Sequence, residues 1–421
     1  MREMKDSGIG WIGEIPQNWN LSRLQYSLEE INEKNEPIRS KQVLSLVKDV
    51  GVMLYEEKGD IGNKAKANLN EYKLAYPNSL VVNSMNILIG SVGISNYFGC
   101  VSPVYYVFKE TDFADIRFIN YIFNTKEFQK ELRKYANGIL EIRLRVSIYD
   151  IFKRKIALPD KNEQQQIADF LDRQCSEIDA TAEGIQKEIS LLEDYKKSVI
   201  SEAVTQGLNP HAEMKDSGIE WIGQIPKHWN VIRIGYILSE IDRRSITGME
   251  ESLSVSQVLG VVPSSQIAVP STASTMVGQK IVESGELVLN KLKAHLGVCF
   301  VSNYNGLVSP DYAVYKANEK VKSKLLEYVF HTASCIWEFK KYITGVGQGL
   351  SRLYTKDLFR INIALPDMLE QQQIVDYLDS KCAEIDALIV DKKRQLDILA
   401  DYKKSLIYEY VTGKKEVPVH E

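Results

Sequence analysis

The segment IALPDKNEQQQIADFLDRQCSEIDA at 156–180 returns 207 residues later as IALPDMLEQQQIVDYLDSKCAEIDA at 363–387. A second pair, MKDSGIGWIGEIPQNWN at 4–20 and MKDSGIEWIGQIPKHWN at 214–230, lies 210 residues apart. Each half of the chain therefore carries the same two segments in the same order. This duplication predicts two copies of one fold with pseudo-two-fold symmetry. The natural partner of such a molecule offers two similar sites, and duplex DNA with two half-sites is the leading case.

Each IALPD segment leads into a predicted helix of roughly 45 residues. Pro159 and Asp160 precede the first helix and Gly207 follows it, while the second runs from Pro366 and Asp367 to Gly413. Apolar residues seven apart predict a coiled-coil seam about 65 Å long at 1.5 Å per residue. We expect the two helices to pair antiparallel; packing of each helix on its own globular domain is the alternative. The seam residues are Leu171, Ile178, Ile185, Leu192 and Val199, then Leu378, Ile385, Leu399 and Leu406, with Lys392 as the exception.

The segments between the repeats indicate an α+β fold. Residues 80–94 and 286–301 are apolar with β-branched residues and glycine, and VYYVFK and YAVYK alternate as strands do. Residues 118–136 and 325–343 have helical period. The predicted domains are globular 1–155, helix 156–209, globular 210–362 and helix 363–421, with the globular pair separated by two long antiparallel coiled-coil helices.

Composition excludes several classes of protein. The 421 residues contain no run of apolar residues long enough to span a membrane, and the N-terminus shows no signal peptide, so we expect a cytoplasmic protein with no membrane partner. Five scattered cysteines form neither a disulfide framework nor a zinc pattern. The net charge of −4 means that any DNA-binding surface must be a local basic patch.

No motif predicts catalysis or a cofactor. Ser102-Pro103-Val104-Tyr105 and Ser309-Pro310-Asp311-Tyr312 lack the second proline of the amino-methyltransferase tetrapeptide, and no GxxxxGK[ST] loop occurs. GIGWIG at 8–13 matches GxGxxG, but no strand precedes it and Glu220 replaces Gly10 in the second copy. A packed turn anchored by Trp11 and Trp221 is the better interpretation.

The chain resembles the specificity subunits of Type I restriction-modification systems along essentially its whole length. The resemblance is carried by MKDSGIEWIGQIPKHWN, SNYNGLVSPDYAVYK and IALPDMLEQQQIVDYLDSKCAEID with their first-copy counterparts. It implies two target-recognition domains reading a split, asymmetric site on double-stranded DNA, with the helices as a spacer. It also implies two modification methyltransferase subunits and restriction endonuclease/translocase subunits as partners, and no catalytic residue in this chain. The alternative is a coiled-coil assembly scaffold that does not bind DNA.

Differences between aligned copies indicate which residues read DNA. Residues 80–109 and 287–316 align without a gap, yet Ser84 and Asn86 become Lys291 and Lys293, and Val104 becomes Asp311. On a strand, alternate positions share one face, where lysine could contact guanine or phosphate and asparagine could contact adenine. A solvated strand edge is the alternative.

The loops before the two IALPD segments are a second candidate. They contain glycines beside arginine, a pattern that suits a phosphate contact. A salt bridge from Arg145 or Arg352 to an acid such as Asp150 or Asp357 is the alternative. The full set of candidate DNA-binding residues is Ser84, Asn86, Arg143, Arg145, Lys291, Lys293, Asp311, Gln348 and Arg352.

The EQQQ segments at the helix starts are candidates for contacting the methylating subunits, a role that rests mainly on the resemblance. Simple helix capping is the alternative interpretation. The residues are Glu163, Gln164, Gln165, Glu370, Gln371 and Gln372.

Overall fold

The computed structural model describes residues 2–48, 50–59, 65, 68–138, 144–267, 276–343 and 351–418. The chain folds into two compact units, one made of Met1–Ile185 with Arg394–Glu421 and the other of Gln186–Lys393. Both units mix helices and strands, as the sequence predicts.

The first copy of the repeat contributes short strands, three short helices and one long helix. The strands are β1 (Met4–Asp6), β2 (Glu14–Pro16), β3 (Asn20–Arg23), β4 (Leu28–Glu30), β5 (Leu44–Val47), β6 (Gly51–Leu54), β7 (Lys73–Ala75), β8 (Leu80–Asn83), β9 (Val92–Ile94), β10 (Gly99–Val101), β11 (Tyr105–Glu110) and β12 (Lys155–Leu158). The helices are α1 (Ile116–Phe123), α2 (Lys126–Arg133), α3 (Ile148–Phe152) and α4 (Lys161–Gln206).

The second copy repeats this order. Its strands are β13 (Met214–Asp216), β14 (Gln224–Pro226), β15 (Asn230–Arg233), β16 (Leu238–Ile241), β17 (Leu253–Ser256), β18 (Gly260–Pro263), β19 (Lys280–Val282), β20 (Leu287–Asn290), β21 (Cys299–Val301), β22 (Gly306–Val308), β23 (Tyr312–Ala317) and β24 (Asn362–Leu365). Its helices are α5 (Ser323–His331), α6 (Ala333–Tyr342), α7 (Thr355–Leu358) and α8 (Met368–Val411).

A four-stranded antiparallel sheet organises each unit. The order is β4-β11-β8-β9 in the first unit and β16-β23-β20-β21 in the second. The registers correspond, since Tyr105 pairs with Asn83 and Tyr312 pairs with Asn290. The end of β8, the starts of β9 and β11 and the end of β4 therefore lie on one edge of the first sheet. The matching edge of the second sheet is formed by the end of β20, the starts of β21 and β23 and the end of β16.

The core of each unit lies between its sheet and its helices. Trp19 and Phe118 are fully buried in the first unit, with ring centroids 6.2 Å apart, and Trp229 and Phe339 are fully buried in the second. Trp11, in the turn expected from GIGWIG, packs on Phe128 with ring centroids 5.2 Å apart. Large aromatic side chains of this kind supply much of the buried apolar area of a small domain.

The predicted helical stretches 118–136 and 325–343 are each two helices in the structure. In the first pair, α1 ends at its C-cap Asn124 and Thr125 is the N-cap of α2, where its Oγ1 accepts a hydrogen bond from Phe128 N over 3.3 Å. Thr332 does the same for Cys335 N at 3.3 Å. Hydrophobic periodicity continues through both breaks, so only the capping threonine marks them.

The long helices begin and end where the sequence predicts. Asp160 and Asp367 cap them, accepting from Glu163 N and Glu370 N at 2.9 Å each. In the first unit the early part of α4 packs beside the late part of α8, where Lys403 lies 2.6 Å from Asp179. In the second unit the late part of α4 packs beside the early part of α8, where Lys196 lies 2.6 Å from Asp386.

Candidate nucleic-acid interface

The edge of the sheet that holds the candidate DNA-binding residues is not shaped as the sequence predicts. Strands β8 and β20 end at Asn83 and Asn290, so the positions that follow do not share a strand face. The Asn83 side chain accepts from Met85 N at 3.1 Å, and Asn290 accepts from Leu292 N at 3.1 Å. These bonds turn the chain into a short 3-10 helix, Ile87–Ile89 in the first unit and Lys291–Leu296 in the second. The expectation of a strand face at these positions is wrong because asparagine competes with the sheet for the main-chain amides.

Ser84 and Lys291 nevertheless occupy equivalent places. Val146 N donates to Ser84 O over 3.1 Å, and Leu353 N donates to Lys291 O over 3.1 Å. Ser84 is buried and its Oγ donates to Val104 O at 2.7 Å, so its hydroxyl is used within the fold and does not face solvent. Asn86 and Lys293 are exposed.

Lys291 lies within a cluster of charges at this edge of the second sheet. Burial, and next the positive charge of Lys280, lower the pKa of Lys291 below the usual lysine value, while Glu240 and Asp311 act in the opposite direction. Among the described residues, its ammonium has no ion-pair or hydrogen-bond partner. A half-buried cation of this kind gains from a bound anion, because its own hydration is already incomplete.

Arg352 lies in the same cluster. Its Nη2 is 3.2 Å from Asp311 Oδ1, and its Nε is buried without a hydrogen-bond partner in the described part of the chain. The alternative of a salt bridge thus holds for Arg352, although with Asp311 rather than Asp357, which pairs with Arg360 at 3.6 Å. Three candidate residues separated in sequence, Lys291, Asp311 and Arg352, are brought together here.

The first unit lacks this charged pair. Arg145 is exposed, its main chain pairs with that of Asn137, and its Nη2 lies 3.5 Å from Met85 Sδ. The expected alternative partner, Asp150, instead accepts from Ser147 Oγ at 2.6 Å. Arg143 and Gln348 lie outside the described residues.

Two lysines next to this edge were not identified from the sequence. Lys280 and Lys73 occupy equivalent strand positions and bond Glu240 at 3.3 Å and Glu30 at 3.2 Å, respectively. They lie 207 residues apart, the same interval that relates the long helices. The sequences of residues 32–79 and 242–286 barely resemble each other, but extending that interval into them would have found both lysines.

The EQQQ segments are mostly used inside each unit. Glu163 accepts from Trp19 Nε1 at 3.3 Å and lies 2.6 Å from Arg2. Glu370 accepts from Trp229 Nε1 at 3.2 Å and lies 2.7 Å from His228 Nε2. These carboxylates hold the helix start against the buried tryptophan of the same unit.

Gln164 and Gln371 are buried, and each bonds main-chain atoms of the loop before the first short helix. Gln164 accepts from Asp115 N and donates to Phe113 O, both at 3.0 Å. Gln371 accepts from Lys322 N at 2.9 Å and donates to Lys320 O at 3.0 Å.

Of the six candidate residues, therefore, only Gln165 and Gln372 are not bonded to another element of their own unit in the described part of the chain; the last glutamines of the two segments, Gln166 and Gln373, are exposed as well. Gln165 is exposed, and the partly exposed Gln372 bonds Asp376 at 2.7 Å. Contact of these two with a partner stays a prediction, and capping is performed by the preceding aspartates.

The described residues hold no cluster of His, Cys, Asp or Glu suited to a metal ion, and none of their helices combines the length and apolarity needed to cross a bilayer. A groove of about 850 Å³ in the second unit is lined by charged side chains such as Lys196, Lys324 and Asp379. Lys196 and Lys324 are paired with acids, and Asp379 accepts from Tyr328 at 2.6 Å. Burial raises the pKa of Cys100 to about 11, which leaves that thiol protonated and unreactive.

Comparisons with known proteins agree with one another. A family model described as the type I restriction modification DNA specificity domain matches residues 16–191 and 270–396. The chain is 23% identical over 424 residues to the type I restriction enzyme MjaVIII specificity subunit of Methanocaldococcus jannaschii, covering 96% of this chain and 94% of that protein. The MjaX specificity subunit of the same organism is 26% identical over 294 residues, which are 69% of this chain and 66% of that protein, just under two thirds.

Two solved structures share the fold. One comes from a study of complex assembly and conformational transition of the type I R-M system; it has a TM-score of 0.71 at 15% identity and covers 95% of this chain and 99% of that chain. The other is the crystal structure of the HsdS subunit from Thermoanaerobacter tengcongensis, with a TM-score of 0.56 at 15% identity, covering 97% and 100%.

Proposed function

Since the chain belongs to the type I restriction modification DNA specificity family, we propose that it reads a bipartite, asymmetric site on double-stranded DNA, with one globular domain on each half-site. Specificity subunits of type I systems are non-catalytic, as the sequence predicts for this chain. Its task in this proposal is to choose the DNA sequence on which partner subunits act, in the compartment that holds the DNA.

The observation that carries the proposal is the matched edge of the two sheets. The same main-chain bond, from Val146 to Ser84 and from Leu353 to Lys291, frames the edge in both units. Within that frame the first unit presents Asn86 and Arg145, whereas the second presents Lys291, Lys293 and the Arg352–Asp311 pair. A frame that stays fixed while its exposed side chains change suits two readers of two different sequences.

The roles of the individual side chains follow from their chemistry. Lys291 suits a backbone phosphate, because a half-buried ammonium without a counter-ion gains most from a full negative charge. Arg352 can offer two parallel donors to O6 and N7 of guanine, with Asp311 holding the guanidinium plane. Asn86 can pair with adenine in the first half-site, and Arg145 lies beside it on the same edge.

The long helices are proposed to act as an antiparallel coiled-coil spacer between the domains. The buried seam residues support this, since Leu171 and Ile178 are buried in α4 and Leu378 and Ile385 in α8. Two methyltransferase subunits, and restriction endonuclease/translocase subunits when cleavage occurs, are the proposed partners. Of the six candidates in the EQQQ segments, Gln165 and Gln372 are left for such contacts, because Glu163, Gln164, Glu370 and Gln371 bond within the fold.

Selection from random duplex DNA by the full chain in complex with its methyltransferase subunits tests the proposal. Two short conserved words separated by a gap of fixed length, with different base content, are the expected result. Recovery of one continuous word or of a perfect palindrome would exclude two independent and different readers. Flat binding to all sequences would favour the assembly scaffold.

A further inference from the structure

A turn of fixed shape follows β16 in the second unit. Ser245 is buried at its base, where its Oγ accepts from Gly248 N at 2.8 Å and donates to Glu250 Oε2 at 2.6 Å. Its main chain is paired on both sides, with Ser245 N bonding Gln279 O at 2.9 Å and Ser245 O accepting from Gly278 N at 2.8 Å. Gly248 has φ +69°, and a Cβ there would lie 3.0 Å from Met276 Cβ. Only glycine fits this position without strain.

Two large apolar side chains of this turn are exposed to solvent. Ile246 is 88% exposed and Met249 is 90% exposed. Because the main chain of the turn is already held in place, burying these side chains on a partner would order little more than their own rotamers. Exposed apolar groups on a rigid turn of this kind indicate a contact surface.

The turn leaves the sheet at the edge that carries Lys291. Ile241 ends β16 and pairs with Val314, two residues from the position where Tyr312 faces Asn290 at the end of β20. Charged side chains continue from there towards the turn. Lys280 Nζ lies 3.5 Å from Asp242 Oδ1, which in turn lies 2.8 Å from Arg244 Nε, directly before Ser245.

The first unit has a turn at the corresponding place, closed one residue later, and it carries different side chains. Asn35 takes the place of Ser245: it is buried, its Oδ1 accepts from Arg39 N at 2.8 Å, and its own N bonds Tyr72 O as Ser245 N bonds Gln279 O. Ile38 is about half exposed, and Arg39 is tied to Glu33 at 2.9 Å. The two turns thus share a buried anchor residue and its main-chain bond, while their length and the chemistry at their tips differ.

We infer that the Ile246–Met249 turn reads thymine in the second half-site by packing its two side chains on the 5-methyl groups exposed in the major groove. In the major groove the base edges present hydrogen-bond donors and acceptors, and thymine adds an apolar 5-methyl group. Because the phosphates are charged, this methyl group is the part of DNA that suits an apolar side chain. Lys291 and Lys293, at the same edge, attract the phosphates of the DNA backbone and so bring the turn close to the groove. This inference rests on the proposed function and adds specificity residues that the differences between aligned positions did not reveal.

Replacing thymine by uracil tests the inference, because it removes the methyl group and keeps the hydrogen-bonding edge. The full complex is titrated with the selected duplex and with duplexes carrying uracil at each thymine of the second half-site in turn. Wild type is expected to lose about fourfold in affinity at one or two positions, roughly the effect of unburying one methyl group. The double variant Ile246→Ser with Met249→Ser is expected to bind thymine and uracil duplexes equally.

Val258→Ser supplies the matched control, since Val258 is also 88% exposed and lies at the tip of the hairpin between β17 and β18. It is expected to keep the preference of wild type for thymine. The inference is overturned if wild type is indifferent to uracil throughout the second half-site, if that half-site contains no A·T pair, or if the double variant keeps the preference. Loss of partner subunits from the double variant, with the thymine preference intact, would instead assign the turn to a protein contact.

The result separates the two proposals. A complex that selects no bipartite site at all contradicts the proposed function and this inference together. A complex that selects such a site and ignores the methyl groups contradicts this inference alone.

Discussion

Arg352 donates from Nη2 to Oδ1 of Asp311 across 3.2 Å, and this pair is present in the second domain only, because Val104 stands at the place of Asp311 in the first. The bond fixes one end of a guanidinium whose Nε is buried at the edge of the sheet. A guanidinium held in one plane can distinguish bases better than a mobile one, since less side-chain entropy is lost on binding.

Arg352→Ala should weaken binding about thirtyfold, the middle of the range for a lost base contact, and relax base preference at the second half-site alone. Selection from random DNA with the variant complex measures this effect. Arg360→Ala, which removes an exposed arginine paired with Asp357, is the control and should change neither affinity nor preference. If Arg352→Ala leaves the sequence preference unchanged, the Arg352–Asp311 pair is a structural salt bridge with no role in base recognition.

Lys291→Met should lower the salt dependence of DNA binding. If Lys291 contacts one phosphate, the slope of log affinity against log salt falls by about one, with similar loss on all sequences. Titrations at several salt concentrations give the slope. Lys197→Met, on the exposed face of α4, should leave it unchanged; equal slopes for both variants would exclude a phosphate contact by Lys291.

The lowered pKa of Lys291 predicts an effect of alkaline pH. Burial, with the charge of Lys280, favours the neutral amine, so Lys291 loses its proton at a lower pH than an ordinary lysine with pKa of about 10.4. A neutral amine does not attract phosphate, and affinity should therefore fall as pH rises towards that value. Lys291→Arg keeps its charge and should bind with little change over the same range; identical pH profiles would contradict the assignment.

Asn86→Lys should change base preference in the first half-site and leave the second unaltered. Asn86 is exposed and lies at the edge where the second domain has Lys293, so the substitution transfers that charge between equivalent surfaces. Asn96→Lys is the matched control, because Asn96 is an exposed asparagine after β9 on the opposite edge of the same sheet. Selection from random DNA with both variants should show an altered base preference in the first half-site for Asn86→Lys only.

Gln164→Ala should destabilise the first unit by about 1–3 kcal/mol, because a buried amide and a buried carbonyl lose their partner. Gln165→Ala removes the adjacent exposed glutamine and should change the free energy of unfolding by less than about 0.5 kcal/mol. Denaturant unfolding of the full chain measures both. Similar stability of the two variants would mean that water replaces the Gln164 bonds at no cost.

The helices were more predictable from sequence than the sheet edge that carries Lys291, and the reason is physical. The long helices were predictable because periodicity, Asp160 and Gly207 all act locally on the same stretch of chain. The end of β8 was not predictable. The side chain of Asn83 accepts from Met85 N and turns the main chain there, while the apolar pattern of the sequence continues past it. The cluster of Lys291, Asp311 and Arg352 depends on which strand ends meet, and single-sequence patterns do not report that.

The EQQQ segments illustrate a second limit. Gln164 and Gln165 are identical in type and adjacent, yet one is buried and the other exposed. The rotation of α4 about its axis, relative to the loop at Phe113, decides which of the two glutamines is buried. That rotation is set by apolar residues many positions away. A polar side chain in a repeated motif therefore indicates importance without indicating whether the role is internal or external.

Gln164 and Gln371 form hydrogen bonds only with main-chain atoms of these loops, two carbonyl oxygens and two amide nitrogens. Every amino acid but proline provides them, so the attachment at this point is indifferent to which side chains occupy the loop. Under the proposed function, a globular module with an altered DNA preference can be joined to an unaltered long helix as long as its loop keeps the same path. Target specificity can in that case diverge without rebuilding this part of the junction.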